Sequence, residues 1–290
     1  MQLLLPFAVA ILMISIGMSL NVPELVQNWR TFTRSSWAKL LFATFIFPPA
    51  LILLLVRIFP LNPSEQIGLF MVAVAPGAPL LTRNIAKKGF DRQLAASYQV
   101  WGALMTPIMI PLVVLATGKL YDRDIWIPPR MLLAEIASKQ FLPLLLGMML
   151  KRFAPAFSRK VDTGLNFLGN AILTIFMVAI LFKMGPALRE VTPWVFVVAA
   201  ILAFACIAVV FWLRTKSRAA SFTLALSNAN RHVGLALLLS GRYLHHKDAL
   251  PAVASYALVS AILMIVLARL ARPFSAQADS RLAPAERSIN

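Results

Sequence analysis

An all-α membrane protein is the fold class this sequence predicts, and three observations predict it. Apolar residues make up 60% of the chain, only 13% of residues are charged, and the mean hydropathy is +0.78. A soluble domain is nearer half apolar and a quarter charged. Apolar runs of about twenty residues, enough to cross a bilayer, recur along the whole length. None shows strand alternation, and in hydrocarbon such a run can pair its own backbone only as a helix.

Nine candidate spans follow in order, at 3–20, 38–59, 67–86, 94–117, 131–150, 165–184, 194–213, 221–241 and 252–270. The first has no basic leading region and no small-residue cleavage site, so it reads as a span rather than a signal peptide. The fifth is the least regular, because Glu135 and Lys139 interrupt its first half. They stand four apart in the order that pairs on one helix face, so that half of the span reads as interfacial. Residues 1–271 read as one transmembrane domain. It holds a first repeat over about 1–117, a connector helix over 129–151 and a second repeat over about 164–271. Residues 272–290, with almost nothing large and apolar, read as a disordered cytoplasmic tail.

The formal net charge is +17. In a soluble protein that would suggest nucleic acid. Here the basic residues sit in short loops between spans, so the implied partner is the lipid bilayer and no nucleic acid is expected. Arg30, Arg34, Lys39, Arg83, Lys87, Lys88, Arg92, Lys151, Arg152, Arg159, Lys160, Arg214, Lys216 and Arg218 border alternate loops. With Arg269, Arg272, Arg281 and Arg287 near the C-terminus, they clearly outnumber the basic residues on the other side. The positive-inside rule then puts the N-terminus outside and the C-terminus in the cytoplasm of a bacterial-type inner membrane. The lone Cys206 excludes an intramolecular disulfide and a cysteine metal cluster. No span carries HExxH, GxSxG or a carboxylate pair able to do acid–base work, so neither an enzyme nor a cofactor is expected.

Two spans differ from ordinary apolar helices. The third contains Pro76-Gly77-Ala78-Pro79 followed by Thr82-Arg83-Asn84-Ile85-Ala86. The eighth contains Ser227-Asn228-Ala229-Asn230-Arg231-His232-Val233-Gly234. Aligned, they share a small polar residue, an Arg, a second polar residue, a β-branched residue and a small one. Five spans separate the two in register, so the helices enter the membrane from opposite sides. This is the pattern of an inverted repeat, spans one to four against six to nine. Interrupted helices at matching positions of two halves point to a transporter's midplane site.

The residues that would line such a site are Thr82, Arg83, Asn84, Gln99, Asn228, Asn230, Arg231 and His232. Arg231 lies mid-span, where an isolated cation costs roughly 3 kcal/mol on insertion scales. It therefore calls for a polar cavity or a partner. Glu135 is the one candidate carboxylate for a structural ion pair, and an anionic ligand is the other reading, since the guanidinium fork matches a carboxylate or sulfonate. Arg83 is close enough to Lys87 to reach the cytoplasmic interface instead. Gln99, Asn166 and Asn170 are intramembrane amides that hydrogen-bond between helices or line a cavity.

At these residues the sequence resembles the bile acid:sodium symporter family. Gly17-Met18-Ser19-Leu20 ends the first span as in the family. Pro76-Gly77 and the short helix closing at Lys88-Gly89 resemble its first crossover, and Asn230 to Ala236 its second. Gln140-Phe141-Leu142-Pro143-Leu144-Leu145-Leu146-Gly147 resembles its connector segment. The resemblance implies a panel domain and a core domain, the core holding two helices that cross at unwound centres. Members with sodium sites carry a Glu in the second crossover, followed four and five residues on by Gln and Asn. Ser227, Arg231 and His232 stand there instead. In the first crossover the family's Ser-Asn pair falls at Leu81-Thr82 or Arg83-Asn84. Thr106 matches a threonine ligand, and Gly102 replaces a serine. Ser227 and Thr106 thus mark degenerate sodium positions, and sodium coupling is not expected to carry over. The resulting expectation is secondary transport of a small organic anion. The alternatives are a sodium-coupled symporter with altered ligands, a metalloid exporter and a non-transport membrane protein. A metalloid exporter would want a thiol at a break, and Cys206 falls in the seventh span, away from both.

Overall fold

The structure is a computed structural model, and it describes the chain outside residues 1–3, 21, 32, 78–80, 122–129, 131–132, 135–136, 159, 162, 166, 170, 173–174, 176–177, 179–190, 213–217, 241–248 and 287–290. Among the described residues every regular element is helical. α1 covers Leu4–Ser19, α2 Val22–Thr31 and α3 Arg34–Leu41. A π-helical turn, Phe42–Ile46, leads from α3 into α4, Phe47–Ile58. Then come α5 (Pro63–Val74), α6 (Leu81–Lys87) and α7 (Arg92–Tyr121). A second π-helical turn, Ala137–Phe141, precedes α8 (Leu142–Phe153). The rest are α9 (Pro193–Phe211), α10 (Arg218–Ala229), α11 (Val233–Leu238) and α12 (Leu250–Glu286).

Among the described residues, four helices are long and apolar enough to cross a membrane: Arg34–Ile58, Arg92–Gly118, Pro193–Phe211 and Leu250–Leu270. They match the expected second, fourth, seventh and ninth spans. The third and eighth spans are split, into α5–α6 and α10–α11, and so fall short as continuous helices. Glu135, Asn166 and Asn170 lie outside the described residues. α12 runs on as helix to Glu286, past the apolar stretch that ends at Leu270.

Among the described residues the buried apolar side chains form two clusters. The larger joins α3 to α7 with α9 to α12. The smaller is made by Met13 and Ile16 of α1, Leu20 just beyond it, Ala96 and Val100 of α7, and Leu144 of α8. A pair of helices, α1 and α8, therefore leans on one face of a larger body. Gly17 and Gly147 set how closely that pair packs. A Cβ on Gly17 would collide with the backbone of Leu144, Gly147 and Met148, and one on Gly147 would collide with Ile14. Small residues at a crossing let two backbones approach, which is how helices associate where no water drives them together.

Glu65 fastens the end of α5 remote from its break. Asn62 caps this helix in a reciprocal box: the Asn62 N–H donates to Glu65 Oε2 at 2.9 Å, and the Glu65 N–H donates to Asn62 Oδ1 at 2.9 Å. Oε1 also accepts the Thr192 N–H at 2.8 Å, and Oε2 the Thr192 hydroxyl at 3.0 Å. Thr192 is the cap residue of α9. One carboxylate, 2% exposed, thus holds the positive ends of two helix dipoles together. The sequence reading placed no such carboxylate, because Glu65 stands just outside the third apolar run. Glu65→Gln sets an amide donor against donors, and the expected loss is about 1.5–3 kcal/mol. Thermal unfolding in detergent measures it, and an unchanged midpoint would show that the carboxylate is dispensable.

Candidate functional site

Both predicted interruptions are present, and they touch. α5 ends at Val74 and the chain runs on through Ala75-Pro76-Gly77, with Gly77 at φ 71°, a left-handed value that favours glycine. α6 closes in a glycine cap: Gly89, at φ 79°, donates to Ala86 O, and Phe90 donates to Ile85 O. That cap accounts for the Lys88-Gly89 pair noted in the sequence. α10 ends at Ala229, and Asn230-Arg231-His232 lead to α11. The His232 N–H donates to Ala75 O at 2.9 Å, joining one break to the other. α11 packs on α5 and α10 on α6, so the two broken helices cross at their interruptions.

A third segment is drawn into the crossing by two prolines. Phe47 donates its N–H back to Phe42 O, five residues away, and Pro48 and Pro49 have no N–H to give. The carbonyls of Ala43 and Thr44 are left without their helical donors. Side chains of the second break supply them. Asn228 Nδ2 donates to Ala43 O at 3.1 Å, and Arg231 Nη2 donates to Thr44 O at 2.9 Å. A π-helical turn at a functional position is a recurrent device.

Arg231 is 2% exposed. Its Nη2 makes a second bond, to Ala73 O at 2.9 Å, in the last turn of α5. Nε and Nη1 are buried with no hydrogen-bond partner, and among the described residues no carboxylate pairs with the guanidinium. The guanidinium reaches the C-terminal end of α5. Moreover, each two-pronged face of a guanidinium uses one hydrogen of Nη2, with Nε on one side and Nη1 on the other. Both Nη2 hydrogens are taken by carbonyls, so Nε and Nη1 remain as separate single donors.

Around Arg231 the polar groups are tied to one another. Asn228 Nδ2 also donates to Cys206 O at 2.8 Å, and its Oδ1 accepts the Tyr98 hydroxyl at 3.0 Å. Tyr98 lies 3.3 Å from the Thr44 hydroxyl. The Tyr256 hydroxyl donates to Ala229 O at 2.8 Å, satisfying a carbonyl at the end of α10. His232 Nδ1 accepts the Leu235 N–H at 2.9 Å and so caps α11, which leaves a neutral ring its proton on Nε2. Cys206 corrects the sequence reading. It is fully buried, and its carbonyl holds Asn228. Helix packing brings it to the second break across a separation of more than twenty residues that periodicity does not bridge.

The first break carries a separate pair. Gln99 Oε1 accepts the Thr82 hydroxyl at 2.7 Å and the Thr82 N–H at 3.3 Å, so adjacent residues of α7, Tyr98 and Gln99, reach the two broken helices. Asn84 and Asn230 are half-buried, and the Arg83 side chain lies outside the described residues. The two degenerate sodium positions turn inward: the Ser227 hydroxyl donates to Thr223 O at 2.6 Å, and the Thr106 hydroxyl to Gly102 O at 2.7 Å, each within its own helix. Thr44, Tyr98 and Tyr256 were missed. Pro48-Pro49 in the middle of the second span was the signal for Thr44.

A profile of the sodium bile acid symporter family matches residues 6–191. The chain belongs to this family. The matched stretch takes in the first crossover and the Gln140–Gly147 segment, and the second crossover lies beyond it. No curated protein matches the chain. Members of the sodium bile acid symporter family are membrane transporters rather than enzymes, and this chain is a multi-pass membrane protein. Within that family frame, Pro48→Ala combined with Pro49→Ala tests how Arg231 is held. The two restored N–H groups compete for the carbonyls that Asn228 and Arg231 now use. A loss of at least about 1.5 kcal/mol is expected, the lower figure for a bond to a charged group. A doubly substituted protein that melts with the wild type would show that the prolines do not serve the crossing.

Proposed function

We propose that this protein is a secondary transporter of a small organic anion, a carboxylate or a sulfonate, carried by alternating access and not driven by sodium. The observation that carries the reading is Arg231: a buried cation with no carboxylate partner among the described residues and two unused donors, at the contact of two broken helices. Nε and Nη1 each offer one charge-assisted hydrogen bond to an anion, and Thr82, Asn84, Gln99 and Asn230 supply neutral contacts nearby. Arg83, Asn228 and His232 complete the site as support. Movement of the α1–α8 pair against the crossing body opens the anion to one side of the bilayer and then the other, as in carriers built from repeats. The N-terminus is outside and the C-terminus cytoplasmic, in the inner membrane.

Sodium prefers several oxygen ligands with one of them anionic, and Arg231 stands as a cation at the crossing. The experiment is a thermal-stability screen of purified protein against carboxylates and sulfonates. A true ligand at a hundred times its dissociation constant adds about 2.7 kcal/mol. If no organic anion raises the melting temperature, the reading fails.

A further inference from the structure

We propose that the Arg231 guanidinium is a tethered cation, seated among carbonyls that would otherwise take up a free monovalent cation. Two helices end at this point, α5 at Val74 and α10 at Ala229. Each helix C-terminus carries about half a negative charge, so the two together about match one guanidinium. The match is made through bonds as well as through the field. Nη2 lies between Ala73 O, in the last turn of α5, and Thr44 O, released by Pro48 and Pro49, each at 2.9 Å. Unwound carbonyls and half-helix C-termini are the ligands that small cations take in carriers with broken helices.

Among the described residues, side chains do not supply the balancing charge. Among the described residues no group of three His, Cys, Asp or Glu is placed to hold a metal ion. The buried carboxylate of Glu65 is committed to Asn62 and Thr192 at the far end of α5. The seat also grips only one of the three guanidinium nitrogens, and Nε and Nη1 are buried without partners. Carbonyls that converge on one nitrogen are placed as they would be around a single small ion. This gives a physical reason for the sodium independence proposed above, since the chain brings its own cation.

The test is Arg231→Ala, which empties the seat. Thermal unfolding of the purified variant is followed at equal ionic strength in choline, sodium and potassium chloride, and with millimolar guanidinium chloride. The variant is expected to melt lowest in choline and to regain most of the lost temperature with guanidinium or an alkali cation, while the wild type is indifferent to the exchange. Equal melting of the variant in all four salts, or a wild-type response of the same size, would overturn the proposal. Should Arg231→Ala yield no folded protein, Arg231→Lys and Arg231→Met decide. Lys keeps a tethered cation within reach of the carbonyls and should melt above Met. Met melting at or above Lys means that the side chain only fills space, and that overturns the proposal too. The readout is stability, so the outcome stands apart from whether an anionic substrate is found.

Discussion

Arg231→Ala is expected to weaken binding of the transported anion by about 10- to 150-fold, the equivalent of about 1.5–3 kcal/mol for a hydrogen bond to a charged group. Nε and Nη1 are the donors lost, since Nη2 is already bonded to Thr44 O and Ala73 O. Arg231→Lys separates charge from geometry. The ammonium keeps the charge and can still reach a carbonyl, but it lacks donors held at fixed angles. Its affinity should fall between those of wild type and Ala, with a melting temperature near that of the wild type. Binding measured by ligand-induced thermal shift, in buffer that supports folding of each variant, checks both. An Ala variant that binds as tightly as the wild type would assign Arg231 to the fold alone.

Gly147→Leu is expected to prevent α1 and α8 from packing, with a cost above the usual 1–3 kcal/mol, roughly, of overfilling a core. The usual figure applies where neighbouring side chains can shift. Here the added carbon meets backbone, at Ile14 and Gly17, and helix backbone does not yield without moving the whole helix. The smaller apolar cluster, around Met13, Ile16 and Leu144, would open with it. The yield of monodisperse protein in detergent reports the effect. Gly102→Ala is the control, because a Cβ at Gly102 meets nothing within 4 Å. Equal yields from both variants would show that the close crossing is not needed.

Much of the crossing was legible in particular residues. Pro76-Gly77 in one apolar run and Asn228 to Gly234 in another are costly in hydrocarbon unless they face each other, and the structure joins them through His232 and Ala75. Gly17 and Gly147 were visible only as parts of two family-like segments, and their shared role needs the helices in contact. Thr44 has a side chain that says nothing; its carbonyl matters, and that depends on two prolines four and five residues on. Cys206 and Tyr98 come to the second break through packing between helices distant in sequence, which single-sequence periodicity cannot express. Glu65 stands at the edge of its span, where hydropathy reads a charged residue as loop. The Arg231 bonds belong to the same case, since the acceptors of Nη2, Thr44 O and Ala73 O, are backbone groups invisible in a residue list.

Uptake of the stabilising anion into proteoliposomes, compared in sodium chloride and in choline chloride of equal ionic strength, tests the central claim most directly. With Arg231 as the resident cation of the crossing, wild-type uptake should saturate with the same half-maximal concentration in both salts, and an inward sodium gradient should not concentrate the anion. Saturable uptake that requires sodium, or accumulation driven by the sodium gradient, would contradict the account.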